Sequence, residues 1–119
     1  MQPSPAIRFI LQIQVRDVER FKALVARCVE VSRSEPGTVH YDWFLDEATG
    51  EARLVEAYES VDAVLAHARG PVFTEFGPEL LETCDFVHMD AFGDTGRLSE
   101  GAQFWPSTYW GTPFADLAG

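Results

Sequence analysis

Between Leu54 and Phe76 the chain carries a carboxylate (Glu56), a phenol (Tyr58), an imidazole (His67) and two phenylalanines (Phe73 and Phe76). Together these types suit the movement of a proton inside an aromatic pocket. Glu56 and Tyr58 alternate with Val55 and Ala57, so they share a strand face with Leu54. An ionised glutamate among apolar neighbours is costly to bury without a partner. Two readings follow for Glu56: it pairs with an arginine such as Arg8 or Arg53 or lies at an exposed edge, or it is a pocket carboxylate with a raised pKa. His67 has two readings as well, a helix-rim histidine in solvent or a neutral imidazole over the pocket mouth. Its ordinary pKa of about 6.5 suits the second role near neutrality.

Other chemistries find less support. None of the histidines His40, His67 and His88 has a second ligand at a recognised metal spacing. His40 with Asp42, and His88 with Asp90, each place His and Asp two apart on one strand face, which is half a site or simply a hydrogen-bonded pair. No metal is expected. Cys28 falls in a helical apolar pattern and Cys84 at a strand start, and both read as reduced packing residues. No serine sits in a GxSxG elbow, and no GxGxxG or GxxxxGK[ST] cradle is present, so no nucleotide cofactor is expected.

The elements that must position these groups can be read in order. Ile7 to Val15 alternates strictly, a strand with one buried face. Asp17 can cap a helix whose stripe is Val18, Phe21, Leu24, Val25, Cys28 and Val31, and Glu35-Pro36-Gly37 ends it. Thr38 to Asp46 is a second strand, with Val39, Tyr41, Trp43 and Leu45 on one face and His40, Asp42 and Phe44 on the other. A hairpin loop with Gly50 leads to a third strand ending at Glu59. Ser60 caps a second helix with the stripe Val61, Val64, Leu65 and Ala68, beside which His67 lies. Gly70-Pro71 breaks that helix. Phe73, Phe76 and Leu80 mark a short third helix interrupted at Gly77-Pro78. Asp85 to Phe92 is a last strand, with Val87, Met89 and Ala91 expected on one face.

The order is βαββαβ, an α+β class ferredoxin-like arrangement: a four-stranded antiparallel sheet with helices on one face. The other face would be left apolar, which predicts a homodimer through the open sheet face. Residues 1–93 are expected to form the domain. Residues 94–119 form a loop-rich tail carrying Phe104, Trp105, Tyr109, Trp110 and Phe114, too aromatic for a disordered tail. It is expected to pack, without regular structure, on the domain or its partner. At 119 residues, 46% of them apolar, one domain with a real core is expected. A net charge of −10 and a single lysine, Lys22, argue against nucleic acid and anionic membrane as partners. No apolar run approaches the roughly 18 residues of a membrane span, and the start lacks a signal-peptide layout. A cytoplasmic protein is expected.

Three motifs carry a family resemblance. They are Glu35-Pro36-Gly37-Thr38-Val39-His40-Tyr41, then Glu56-Ala57-Tyr58-Glu59-Ser60 with Ala63, Leu65 and His67, then Gly70-Pro71-Val72-Phe73. In order and spacing they resemble the antibiotic biosynthesis monooxygenase (ABM) family over about residues 7–92. The resemblance implies a dimeric α/β barrel, in which each subunit holds a pocket between sheet and helices. It also implies a cofactor-independent monooxygenase acting with O₂ on a small phenol, quinol or polyketide-like substrate. Glu56, Tyr58 and His67 would then be catalytic, and Trp43, His40, Phe73 and Phe76 would bind substrate. Tyr58 stands where the family has tryptophan, and Val72 where it has a second histidine. The chain also lacks the asparagine that polyketide and haem enzymes use. Haem degradation is therefore disfavoured. The alternatives are a non-catalytic domain of this fold binding a small apolar ligand, or isomerase or lactone-type chemistry.

Overall fold

The computed structural model describes residues 6–96, 98 and 106–117. Strand β1 (Ile7–Val15) leads to helix α1 (Val18–Ser32), the hairpin β2 (Thr38–Leu45) and β3 (Glu51–Tyr58), and helix α2 (Val61–Ala68). A π-helical segment (Val72–Phe76) then joins helix α3 (Gly77–Thr83), strand β4 (Cys84–Gly93) and a short strand β5 (Ser107–Tyr109). The sheet order is β2-β3-β1-β4-β5. The first four strands pair antiparallel in the ferredoxin-like order, and β5 adds a parallel fifth at the β4 edge.

The tail thus departs from the expectation of irregular structure. Met89 N–H donates to Pro106 O, Trp110 N–H to Ala91 O and Gly93 N–H to Gly111 O, tying the tail to β4 by backbone bonds. Phe104 and Trp105 lie outside the described residues.

The core sits between the sheet and the helices. Ile7, Phe9, Leu11, Ile13 and Val15 supply its floor, and Phe21, Leu24 and Leu80 its cover. Each such side chain contributes about 1.5–3 kcal/mol on leaving water. The caps form as the sequence implies: Arg20 N–H donates to Asp17 Oδ1 (3.2 Å) and Ala63 N–H to Ser60 Oγ (3.1 Å).

Two expectations about faces are corrected. In β4 the register with β1 shifts, so that Gln12 opposes His88 while Ile13 opposes Phe86. Val87 is the extra residue of this bulge and is half exposed. Phe86 therefore joins Met89 and Ala91 against the core, because one inserted residue flips the alternation beyond it. In α2 the deepest residues are Ala63 and His67 rather than the centre of the expected stripe. Gly37, at φ 91°, leaves room there: a Cβ on it would lie 2.7 Å from Ala63 Cβ. That close approach turns the Ala63–His67 line inward.

Among the described residues no helix covers the opposite face of the sheet, and Ile10 and Phe44 are exposed on it. Arg8, Ile10, Val55 and Phe92 form with the 110–116 segment an open groove of about 980 Å³.

Candidate active site

Beneath the helices lies a cavity of about 680 Å³, within the 300–1,000 Å³ usual for small-molecule sites. Its walls are largely apolar and aromatic, including Leu11, Trp43, Leu54, Phe73 and Phe86, and its polar groups include Tyr41, Glu56, His67 and Asp85. Among the described residues that line it there is no lysine or arginine.

Glu56 comes from β3 and points inward by the alternation that buries Ala52, Leu54 and Tyr58. It is 8% exposed, and neither Arg8 nor Arg53 is its partner. Arg53 Nη1 donates instead to Ala52 O (2.9 Å). The Tyr58 hydroxyl donates to Glu56 Oε1 at 2.5 Å, a short charge-assisted contact. Burial raises the Glu56 pKa, and Glu35 adds in the same direction, while the Tyr58 hydrogen bond and His67 oppose the rise. Burial also pushes the Tyr58 and Tyr41 phenols up, with Glu56 adding to both. Neither phenol is thus a ready source of phenolate.

His67, in the last turn of α2, is 4% exposed and not a solvent-facing rim residue. Its Nδ1 lies 2.7 Å from Glu35 Oε1, and its Nε2 lies 3.8 Å from Glu56 Oε1. Three rings enclose it: Tyr41 at 5.2 Å, Tyr58 at 5.6 Å and Phe73 at 5.7 Å between centroids. The two carboxylates meet opposite nitrogens of the ring, so they do not converge on one point. No group of three or more His, Cys, Asp or Glu among the described residues could hold a metal ion.

Of the seven residues singled out from sequence, Trp43, Glu56, His67 and Phe73 line the cavity, and Tyr58 backs Glu56 from the core. His40 does not reach it. The alternation that turns Tyr41 and Trp43 inward turns His40 to the open face, where its Nδ1 is 3.8 Å from Asp42 Oδ2. Phe76 is also corrected: it packs with Cys28 and Val72, with the Arg27 guanidinium 4.7 Å over its ring. The π-helical turn places Val72 and Phe76 inward together and leaves Phe73 facing His67. The Cys28 and Cys84 thiols are pushed up to about 11, mainly by burial, which leaves both poor nucleophiles.

Tyr41 and Glu35 are among the residues at the site that had not been singled out for a role. Tyr41 is brought to Glu56 by the β2–β3 register. Glu35 had appeared as part of a helix-ending Glu-Pro-Gly and of the first family motif. The arrangement offers one buried proton acceptor at the end of an apolar cavity, backed by a phenol and an imidazole.

The family model for antibiotic biosynthesis monooxygenases matches residues 8–78. No curated protein sequence gives a match. Among solved structures, MupZ from Pseudomonas fluorescens is similar over 98% of both chains, with a TM-score of 0.74 at 17% identity. A conserved protein from Methanosarcina mazei Go1 matches 75% of this chain and 92% of its own, with a TM-score of 0.68 at 24% identity. SnoaB, a cofactor-independent oxygenase from Streptomyces nogalater, covers 80% of this chain and 98% of its own, with a TM-score of 0.66 at 15% identity. At these identities the structural likenesses speak to fold.

Proposed function

This chain belongs to the antibiotic biosynthesis monooxygenase family, and we propose that it is a monooxygenase acting without a cofactor on a small polycyclic phenol or anthrone-type compound. The observation that carries this reading is Glu56: a buried carboxyl of raised pKa at the end of an aromatic cavity. Such a group, once ionised, is a stronger base than an exposed carboxylate. It takes a proton from the substrate, whose anion is a far better electron donor to O₂ than the neutral compound. For an anthrone-type CH₂ the balance is CH₂ + O₂ → C=O + H₂O. One oxygen atom enters the ring carbon, the other leaves as water, and the proton held by the protein returns to that water.

Trp43, Phe73 and Phe86 hold the flat substrate and keep water from the anion. Two carboxylates and no lysine or arginine among the described lining residues favour a substrate that is uncharged on arrival rather than a carboxylate. The protein works as a homodimer joined through the open sheet face, with its cavities on the far side of each sheet.

Oxygen-electrode assays with anthrone and a panel of hydroquinones test the reading. The expected result is one O₂ consumed per anthrone and a loss of about 10²–10⁴-fold in rate for Glu56→Gln. No uptake with any compound would sink it. Saturable binding of the same compounds without uptake would favour the non-catalytic binding domain, which the largely apolar lining also fits.

A further inference from the structure

The His67 ring lies between two carboxylates, of which only the one on its Nδ1 side is within hydrogen-bond distance, and that one is not part of the cavity wall. Glu35 stands in the connection between α1 and β2. Its Oε1 lies 2.7 Å from His67 Nδ1 and also accepts from Thr38 Oγ1 at 3.2 Å. Its side chain is 17% exposed, against 4% for His67. Gly70, just past α2, leaves space for the second oxygen, since a Cβ there would lie 3.3 Å from Glu35 Oε2.

We propose that Glu35 is a positioning residue for proton transfer at this site. It fixes His67 with the Nε2 lone pair toward Glu56, and it steadies the imidazolium formed when His67 takes over the proton that Glu56 has drawn from substrate. The inference rests on the reading of Glu56 as proton acceptor. An oxygen already accepting from Thr38 accepts again from the nitrogen beside it, so Nδ1 carries the hydrogen and Nε2 is left free. At 3.8 Å, Nε2 and Glu56 Oε1 are beyond hydrogen-bond range. A small swing of the ring or one bridging water completes the link. The proton then rests on Nε2 with Nδ1–H still bound to Glu35, as a carboxylate supports an imidazolium in hydrolytic triads. Glu56 is cleared in the meantime, and the same proton returns when water is released. The groups facing His67 are Glu35 from the α1–β2 connection, Tyr41 from β2, Glu56 and Tyr58 from β3, and the Phe73 ring.

Nuclear magnetic resonance on the ¹⁵N-labelled full chain tests this through the imidazole itself. Neutral His67 is expected to carry its hydrogen on Nδ1. Glu35→Gln, whose amide can donate as well as accept, is expected to bring in the Nε2–H form of His67, with the His40 and His88 signals unmoved and Glu35→Asp restoring part of the Nδ1–H form. In turnover, Glu35→Gln is expected to lower kcat by about tenfold or more, with KM within about twofold and an altered pH profile. An Nε2–H tautomer in the unaltered protein, or a tautomer indifferent to Glu35→Gln, overturns the proposal. The tautomer requires no variant, so refutation is open even if Glu35→Gln fails to fold. Should His67 behave as expected while no anthrone or hydroquinone is oxidised, the positioning role stands and the oxygenase reading falls.

Discussion

Glu56 makes a pH signature that needs no substrate. Its ordinary value is 4.5, and burial raises it in the folded chain. The unfolded chain therefore loses this proton at lower pH than the folded one. Between the two values the folded state holds more protons, so stability falls as pH climbs through that window and the penalty is constant above it. Glu56→Gln keeps an acceptor for the Tyr58 hydroxyl and removes the penalty. The variant's Tm is expected to gain on the unaltered protein by about 3–5 °C at pH 8 and by little at pH 4. A gain that does not widen between those pH values would show that Glu56 is not held by burial. At this scale the sequence was informative wherever the signal was local. Alternation alone grouped Glu56 and Tyr58 with Leu54 on one face, and Trp43 with Tyr41 on another; the structure turns both faces inward. Glu35 escaped because its partner is 32 residues away, and Tyr41 because its meeting with Glu56 depends on strand register.

The elements show where period-counting holds and where packing overrides it. The strands, both caps and the helix-breaking Gly70-Pro71 follow from spacing and turn chemistry. The bulge at Val87 and the rotation of α2 do not, since both are set by what lies across the sheet or beneath the helix. Gly37 is the clearest instance. At φ 91° and with Ala63 Cβ in the way, Gly37→Ala combines backbone strain with a clash. Chemical denaturation is expected to show a loss of about 1–3 kcal/mol and a matching fall in activity, because α2 carries His67. Ser60→Ala, which removes only the cap on the same helix, is expected to cost about 1 kcal/mol. A Gly37→Ala protein as stable as the unaltered one would mean that α2 is not seated by this contact.

For the whole molecule, the sheet face turned away from the described helices carries exposed apolar side chains. Phe44 is 58% exposed and Ile10 37% exposed on it, apolar surface that a second copy would cover. Light scattering is expected to give about twice the 13.3 kDa chain mass, and Phe44→Asp to shift the protein toward one chain while leaving its folding intact. A monodisperse single chain before mutation would refute the pairing. A different consequence follows from β5. The sheet has two outer edges, and bare edges template the growth of foreign strands into fibrils. One edge is β2, which carries the exposed His40 and Asp42. The other would be the ten-residue β4, but three residues of the tail lie along it. The β5 segment is therefore expected to guard this edge against aggregation. Its removal is expected to show first as thioflavin-positive precipitation rather than as a loss of chemistry.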